Sequence, residues 1–383
     1  MRILFDYQAF EMQRIGGVSR SYAELISHLR EIGCECKLGL KESDNVYIQN
    51  EDIKPLYYTH YKLFGQKKRF LGQRTTNKII LRLMGYPNEG TTVNQDYCIK
   101  LLKQKEFDIF EPTFFDSYFL PYLNGKPFVM TVHDMIPELF PKYFGKNGFQ
   151  IEMKKQLCPR ASAIHVPSQK TKEDLINILN IIPEKITIIP HGAANIQIPK
   201  SIPQRVIKNP YILYIGDRYK YKNFDLLLRE MAIILQTEPD LNLVCTGHHF
   251  SEEERYLIAN LNLKDRVHHC FASDDNFYSL YNNAVAFVYP SSYEGFGLPI
   301  LEAWSCDCPV MLNNASCFPE VGGDAAIYFD INKKGDLAEH ITSFYRISSE
   351  DRSAIISKGK NRLSLFSWEK SALQLKRVYE SIS

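Results

Sequence analysis

Short apolar runs alternate with longer segments of helical period along nearly the whole chain, and this alternation narrows the choice of fold more than any other feature. In the first half Arg2–Phe5, Glu35–Leu40, Phe128–Val132, Ala163–Val166 and Ile186–Ile189 read as strands. In the second half Tyr211–Ile215, Leu241–Thr246, Val267–Cys270, Ala286–Tyr289, Val310–Leu312 and Ala326–Phe329 do the same. Helices are expected over Val18–Arg30 and from Ser168 onward, where the serine hydroxyl suits an N-cap. Such alternation predicts an α/β chain with parallel sheets. Between the two series, Gly192–Pro210 carries prolines at 199, 203 and 210 and little periodicity, so it reads as a linker. The expected division is a first domain over 1–195, a second over 205–365, and a closing amphipathic helix over 366–383.

Composition excludes several classes. The net charge of +2 is nearly neutral and by itself argues neither for nor against nucleic acid, but no recognised nucleic-acid motif is present and no such partner is expected. No apolar stretch approaches the roughly 18 residues of a membrane span. The opening Met1-Arg-Ile-Leu-Phe-Asp6 turns acidic too early for a signal peptide and reads as a first strand, which predicts a cytoplasmic protein. The nine cysteines form no C-x-x-C pair, so they are expected to be reduced core thiols without zinc. From Lys54 to Arg82 there is no acidic residue, and Lys62, Lys67, Lys68, Arg69, Arg74 and Lys78 are interleaved with Tyr57, Tyr58, Tyr61, Phe64 and Phe70. That segment suits peripheral contact with anionic lipid headgroups, a grip on a diphosphate-bearing acceptor, or a plain solvated face.

The chemistry concentrates at Ser292-Tyr-Glu-Gly-Phe-Gly-Leu-Pro-Ile-Leu-Glu-Ala303. Glu294 and Glu302 flank a Gly-Phe-Gly-Leu-Pro turn that follows the strand Ala286–Tyr289, with a helix starting near Pro299. The turn therefore lies at a strand's carboxyl end, where open α/β sheets bind ligands. Its glycines allow close approach, and the amides at the helix start can hold a phosphate. Both carboxylates can then face one ligand with phosphate at one end and hydroxyls at the other. After the strand Tyr211–Ile215, Gly216-Asp-Arg-Tyr-Lys-Tyr-Lys-Asn223 places Arg218 and Lys222 where a diphosphate would need cations, with Lys220 as the competing lysine. Gly16-Gly17 before a helix forms a further anion-binding candidate, although the full G-x-G-x-x-G is missing. His133-Asp134 ends the strand Phe128–Val132, again at a carboxyl end.

Taken together in order, Val129-Met-Thr-Val-His-Asp134, Ile189-Pro-His-Gly192, Tyr211 to Asn223, the Glu294/Glu302 segment and Phe366-Ser-Trp-Glu-Lys370 resemble the retaining glycosyltransferases of family 4 (group 1). The likeness covers roughly the whole chain and is weak from about residue 41 to 105. It implies the GT-B fold: two Rossmann-like doubly wound domains, an interdomain cleft, and a C-terminal helix crossing back to the first domain. By the same resemblance Arg218 and Lys222 bind the diphosphate in place of a metal, with Gly216 in their loop. Glu294 would hold the donor-sugar hydroxyls beside the reacting centre, and Glu302 the ribose. The amides of Phe296, Gly297 and Leu298 would hold sugar oxygens and phosphate. His133 would stand at the transferring centre with Asp134 orienting it or its loop, and Gly16-Gly17 would close over donor phosphate and acceptor.

The implied reaction is metal-free and cofactor-free transfer of a hexosyl unit, mannosyl or similar, with retention of configuration. The donor would be a GDP- or UDP-linked sugar, its base read by backbone near Cys270–Asp274, and the acceptor a glycan or lipid-linked glycan in surface polysaccharide synthesis. Members of that family often carry histidine where this chain has Glu111, which implies an unusual acceptor side. Two alternatives share the donor features: a UDP-sugar epimerase of the same fold, which needs no acceptor, and a non-catalytic nucleotide-sugar-binding protein. The first has no need of the Arg218/Lys222 pair, and the second no need of His133 together with Glu294.

Overall fold

The computed structural model describes residues 1–48, 93–144, 148–193, 196 and 205–383. The basic segment 54–82 lies outside the described residues, as does much of the expected linker.

Among the described residues every strand pairing is parallel, and the strands form two lobes. In the first lobe β1 (Arg2–Phe5) lies between β2 (Glu35–Leu38) and β3 (Ile109–Glu111). Beside them β4 (Val129–Thr131), β5 (Ala163–Val166) and β6 (Ile186–Ile188) form a second group of three. A parallel bridge between Phe110 and Phe128 joins the two groups into the order 2-1-3-4-5-6. The second lobe contains β7 (Tyr211–Tyr214), β8 (Asn242–Cys245), β9 (Val267–His269), β10 (Ala286–Tyr289), β11 (Val310–Asn313) and β12 (Ile327–Phe329). These lie in the order 9-8-7-10-11-12, the doubly wound pattern whose direction reverses between β7 and β10. β7, β8, β10 and β11 are buried along their whole length, as strands covered on both faces must be.

The sequence boundaries of β1, β5 and β10 agree with the structure residue for residue. Ser168 caps its helix, Gln169–Leu179, by accepting the Thr171 amide. The strand β3 goes beyond the sequence reading: Ile109-Phe-Glu111 is three residues long and ends in a charge, so no run of apolar residues announces it.

The closing helix, Trp368–Ile382, belongs to the second lobe by sequence and to the first by packing. Ala372, Leu375, Val378 and Tyr379 sit in the first lobe's core, and the helix lies along Gly17–Glu31. Ser371 Oγ donates to the Pro190 carbonyl at 2.6 Å, and Lys376 Nζ to the Ile32 carbonyl at 3.0 Å. Tyr379, buried, donates its phenol hydrogen to Glu111. Burial and the Glu111 charge push that phenol's pKa well above its usual value, so it stays a donor. Glu111 also accepts from Thr131 Oγ1 at 3.0 Å and lies 3.1 Å from His165 Nε2. With no exposed surface, Glu111 fastens the returning helix to β3–β5 and does not line an acceptor face, which corrects the expectation drawn from its position.

The chain crosses between the lobes twice at one point. Trp368 passes so close to Gly192 that a Cβ there would lie 2.3 Å from the Trp368 nitrogen and 2.5 Å from its indole Cγ. We expect Gly192→Ala to destabilise the protein by about 1–3 kcal/mol, the usual range for overpacking. The check is the urea midpoint of the variant against the parent, and an unchanged midpoint would show that the crossing yields without cost.

Candidate active site

The loops after β7 and β10 meet at the point where the second sheet reverses direction. They are tied together by backbone: Ser292 N–H donates to the Tyr221 carbonyl at 2.8 Å. Asn223, held in the left-handed conformation, donates its side-chain amide to the Pro290 carbonyl at 2.8 Å and to Ser292 Oγ at 2.9 Å. On the far side Ser316 Oγ donates to the Glu294 carbonyl at 2.8 Å. This frame places Lys222 Nζ 3.2 Å from Glu294 Oε1, which also accepts from Ser291 Oγ at 2.8 Å. Lys222 lies between the rings of Tyr221 and Tyr289, 5.8 and 5.7 Å from their centroids.

Glu302 stands one turn into the helix Leu298–Ser305, which Gly297 opens at φ +98°. Only glycine takes that conformation without strain, so the turn depends on it. One carboxylate oxygen of Glu302 accepts from Tyr281 Oη at 2.9 Å. The other receives Arg20 Nη1 at 2.7 Å, a cation from the first lobe's helix Gly17–Glu31. Sequence reading missed Arg20. It stands among ordinary amphipathic-helix residues, and its partner is 282 positions away.

Arg218 does not share the space of Lys222. Its Nε donates to Glu254 at 2.8 Å, its Nη1 to the Thr246 carbonyl at 2.8 Å, and its Nη2 to the His248 carbonyl. Phe224 and Phe250 cover the guanidinium at 5.4 and 4.9 Å. As placed, it ties the loop after β7 to the loop after β8. Next to it Gly216, at φ +106°, lets its carbonyl pass so near Gly247 that a Cβ there would lie 2.5 Å from it.

The two lobes touch where the expected residues of the first lobe lie. A Cβ on Gly295 would fall 1.8 Å from the His133 carbonyl oxygen, so backbone meets backbone there and only glycine fits. Gly17 faces Leu298, with 3.3 Å between the site of a Cβ and Leu298 Cδ1. Gly16 is extended at φ 177°, a conformation open to any residue. Asp134 folds its own loop by accepting the Ile136 amide at 2.9 Å. Its carbonyl receives the buried Lys154 Nζ at 2.8 Å, and Lys154 pairs with Glu138 at 3.0 Å. Phe296 packs its ring 5.1 Å from His191.

His133 lies edge-on to Tyr22 and 5.8 Å from His191, and its Nε2 is a buried polar atom with no partner among the described residues. Burial, then the neighbouring His191, His165 and Lys154, hold its pKa well below the usual histidine value. Burial also takes His191 down, to about 3. The site therefore offers neutral imidazoles, one with a nitrogen free to meet a ligand hydroxyl. Among the described residues no group of three or more His, Cys, Asp or Glu is arranged to hold a metal ion. All nine cysteines are unpaired, and eight are buried.

Residues 15–194 match Glycosyltransferase Family 4, and residues 197–362 match Glycosyl transferases group 1. The chain belongs to this family of GT-B glycosyltransferases. Among curated relatives it is 28% identical over 279 residues to the O-antigen chain mannosyltransferase B of Escherichia coli, covering 69% of this chain and 72% of that one. It is 28% identical over 212 residues to the O-antigen chain mannosyltransferase RfbU of Salmonella typhimurium, covering 55% and 58%. Among solved structures, Anabaena Alr3699/HepE in complex with UDP and glucose shares the fold at a TM-score of 0.71 and 19% identity over 99% of each chain. In this glycosyltransferase no described helix is long and apolar enough to cross a membrane.

The depressed histidine pKa values have a consequence for stability. Folding favours neutral His191, so its contribution is complete above the unfolded value near 6.5 and is lost as pH falls toward about 3. Between pH 4 and 6 the unfolded chain binds about one more proton at this residue, a slope of about 1.4 kcal/mol per pH unit. We expect His191→Gln to reduce the pH dependence of unfolding free energy by about that slope. Urea unfolding at a series of pH values measures it, and an unchanged slope would mean that His191 ionises freely in the fold.

Proposed function

We propose that this glycosyltransferase moves a hexosyl unit, in the first instance mannosyl, from a GDP- or UDP-linked donor to a glycan or lipid-linked acceptor, retaining the anomeric configuration. The observation that carries the reading is the pairing of Lys222 with Glu294 and of Arg20 with Glu302 at the carboxyl end of β10, against the unpartnered His133 nitrogen. Relatives described as O-antigen chain mannosyltransferases support the sugar and the setting in surface polysaccharide synthesis.

In the proposed reaction the donor diphosphate takes the Lys222 ammonium from Glu294, and charge grows on its oxygen as the bond to the sugar's anomeric carbon breaks. A fixed cation in a closed, poorly solvated site stabilises that charge without reorganising. Glu294, released, accepts donor-sugar hydroxyls. Glu302 accepts the ribose diol with both oxygens, and Arg20 is then free to turn to the phosphates. The amides of Phe296, Gly297 and Leu298 lie at the start of the helix that ends in Ser305, where partial positive charge favours an anion. Neutral His133 offers Nε2 to a sugar hydroxyl near the transferring carbon. The acceptor oxygen bonds to the anomeric carbon on the face the diphosphate leaves, and its proton passes to the departing phosphate oxygen. Asp134, Gly16, Gly17 and Gly216 shape the loops around this centre, and Arg218 holds the loop that carries Lys222. The proposed domains are 1–195, 205–365 and 366–383, a reading supported by the two separate sheets and the packing of Trp368–Ile382 on the first. Peripheral membrane contact through 54–82, in a cytoplasmic setting, completes the proposal on the strength of that segment's basic and aromatic composition.

With EDTA present, GDP or UDP should raise the melting temperature, and the matching nucleotide-sugar should yield an axial-to-axial or equatorial-to-equatorial product by proton NMR. Lys222→Ala should lower kcat by about a hundredfold or more, the scale of losing one preorganised charge contact. A folded Lys222→Ala variant at near-normal rate would remove this lysine from the chemistry, and an inverted product would overturn retention. For the membrane contact, co-sedimentation with phosphatidylserine vesicles should fall when Lys67, Lys68 and Arg69 are changed to glutamate; unaltered sedimentation would sink it.

A further inference from the structure

Four aromatic rings stack across the boundary between the lobes. Phe140 lies 6.2 Å from Tyr143 at an interplanar angle of 18°, and 5.5 Å from Tyr221 at 25°. Tyr221 lies 6.1 Å from Tyr219, almost coplanar in direction at 3°. Phe140 and Tyr143 come from the first lobe, Tyr219 and Tyr221 from the loop after β7. The interior of the stack is ordinary interface packing: Tyr221 is buried with Ile136 and Tyr293. Its ends are not, since Tyr219 is 54% exposed and Tyr143 39%. Both ends line one cavity of about 640 Å³, which continues past Leu226, Arg229 and Ile233 to Asn332 and Lys334. Cavities of roughly 300–1,000 Å³ take organic ligands of moderate size.

The lining suits a neutral polyhydroxyl ligand. The face of an aromatic ring is electron-rich, and the axial C–H groups of a pyranose carry slight positive charge, so a sugar ring lies flat on an exposed tyrosine. Guanidinium and carboxamide groups, here Arg229 and Asn332, meet adjacent hydroxyls with fixed donors and acceptors. Two of the four cations that line the cavity are already engaged. Lys220 is set against Asp225 at 3.1 Å and Arg218 against Glu254 at 2.8 Å, so these cations along the wall are already opposed by carboxylates. At the Tyr143 end the Lys142 ammonium already lies 5.0 Å from the ring centroid, which leaves Tyr219 as the platform.

We infer that this cavity binds a neutral pyranose oligosaccharide, with one sugar stacked on Tyr219 and the chain held by both lobes. Lys222 and Glu294 do not line it, so it is a site apart from the reacting centre, although the loop of Tyr219 is also the loop of Lys222. Only the identification of that oligosaccharide as a distant part of the acceptor or product glycan rests on the function proposed above.

Saturation-transfer NMR on the full chain, without nucleotide-sugar, tests it with three probes: α-linked mannotetraose, maltotetraose and chitotetraose. At least one should bind the parent protein, bind Tyr219→Phe within about twofold, and bind Tyr219→Ala at least about tenfold more weakly. Tyr219 is surface-exposed, so Tyr219→Ala should keep the parent's melting temperature and its shift with GDP or UDP. Failure of all three probes to bind the parent, or equal binding by Tyr219→Ala, would overturn the inference. Tyr219-dependent binding in a protein that no nucleoside diphosphate stabilises would leave the oligosaccharide site standing and remove the transferase reading.

Discussion

A carboxylate in a closed protein cleft must find a positive or hydrogen-bonding partner, because an unpaired buried charge costs several kcal/mol or shifts its pKa until it is neutral. Glu294 and Glu302 are both nearly buried between the lobes, and each has one cation and one hydroxyl. Much of the surrounding structure can be understood as what keeps those cations in place. The loop after β7 is tied to the loop after β10 so that Lys222 reaches Glu294, and Arg218 is buried as the anchor of that loop. Arg20 reaches Glu302 across a boundary where Gly295 meets the His133 backbone and Gly17 faces the Leu298 side chain. In the proposed reaction the donor's diphosphate and ribose are the competing partners, so binding exchanges one satisfied network for another and strands no charge.

That approach depends in turn on the chain's second crossing. The helix Trp368–Ile382 packs its apolar stripe on the first lobe, while Phe366, just ahead of it, packs on the core of the second. Glu111, His165, Thr131 and Tyr379 form a buried polar knot beneath it. A hydrogen-bonded knot has one good arrangement where an apolar contact has several, so it fixes the helix's register as well as holding it. Trp368 then seals against Gly192 and lies 5.5 Å from His191 with its ring tilted, and His191 reaches His133 and Phe296 at the cleft. The crossing point and the candidate centre are thus joined by a run of touching rings.

How far the sequence alone reveals this differs from residue to residue for physical reasons. Buried strands announce themselves by largely apolar runs, broken here only by Arg2 and His165, and β1, β5 and β10 were readable to the residue. The turn at Gly297 and the cap at Ser168 were readable because local backbone demands select those residue types. The fates of charged side chains were not. Arg218 and Lys222 sit four positions apart in one loop, yet Arg218 pairs with a glutamate 36 positions on and Lys222 with Glu294. Glu111 resembles a cleft residue until Tyr379, 268 positions later, folds over it. Such outcomes depend on partners that only the tertiary structure brings near.

The same reasoning explains why the aromatic stack stood out only in the structure. Phe140 and Tyr143 look like routine helix-end aromatics, and Tyr219 and Tyr221 like spacers between lysines. An interface between two lobes needs apolar cover at its centre, which Phe140 and Tyr221 supply. It does not need a further tyrosine half in solvent over a cavity, since exposed ring area gains nothing from burial. The exposed end is also where the two lobes contribute to one concave surface. A ligand long enough to reach from Tyr219 to Tyr143 would touch both lobes and so favour the arrangement in which Gly295 meets His133. By linkage, whatever such a ligand adds to closure must also be added to the affinity of any second ligand that requires closure.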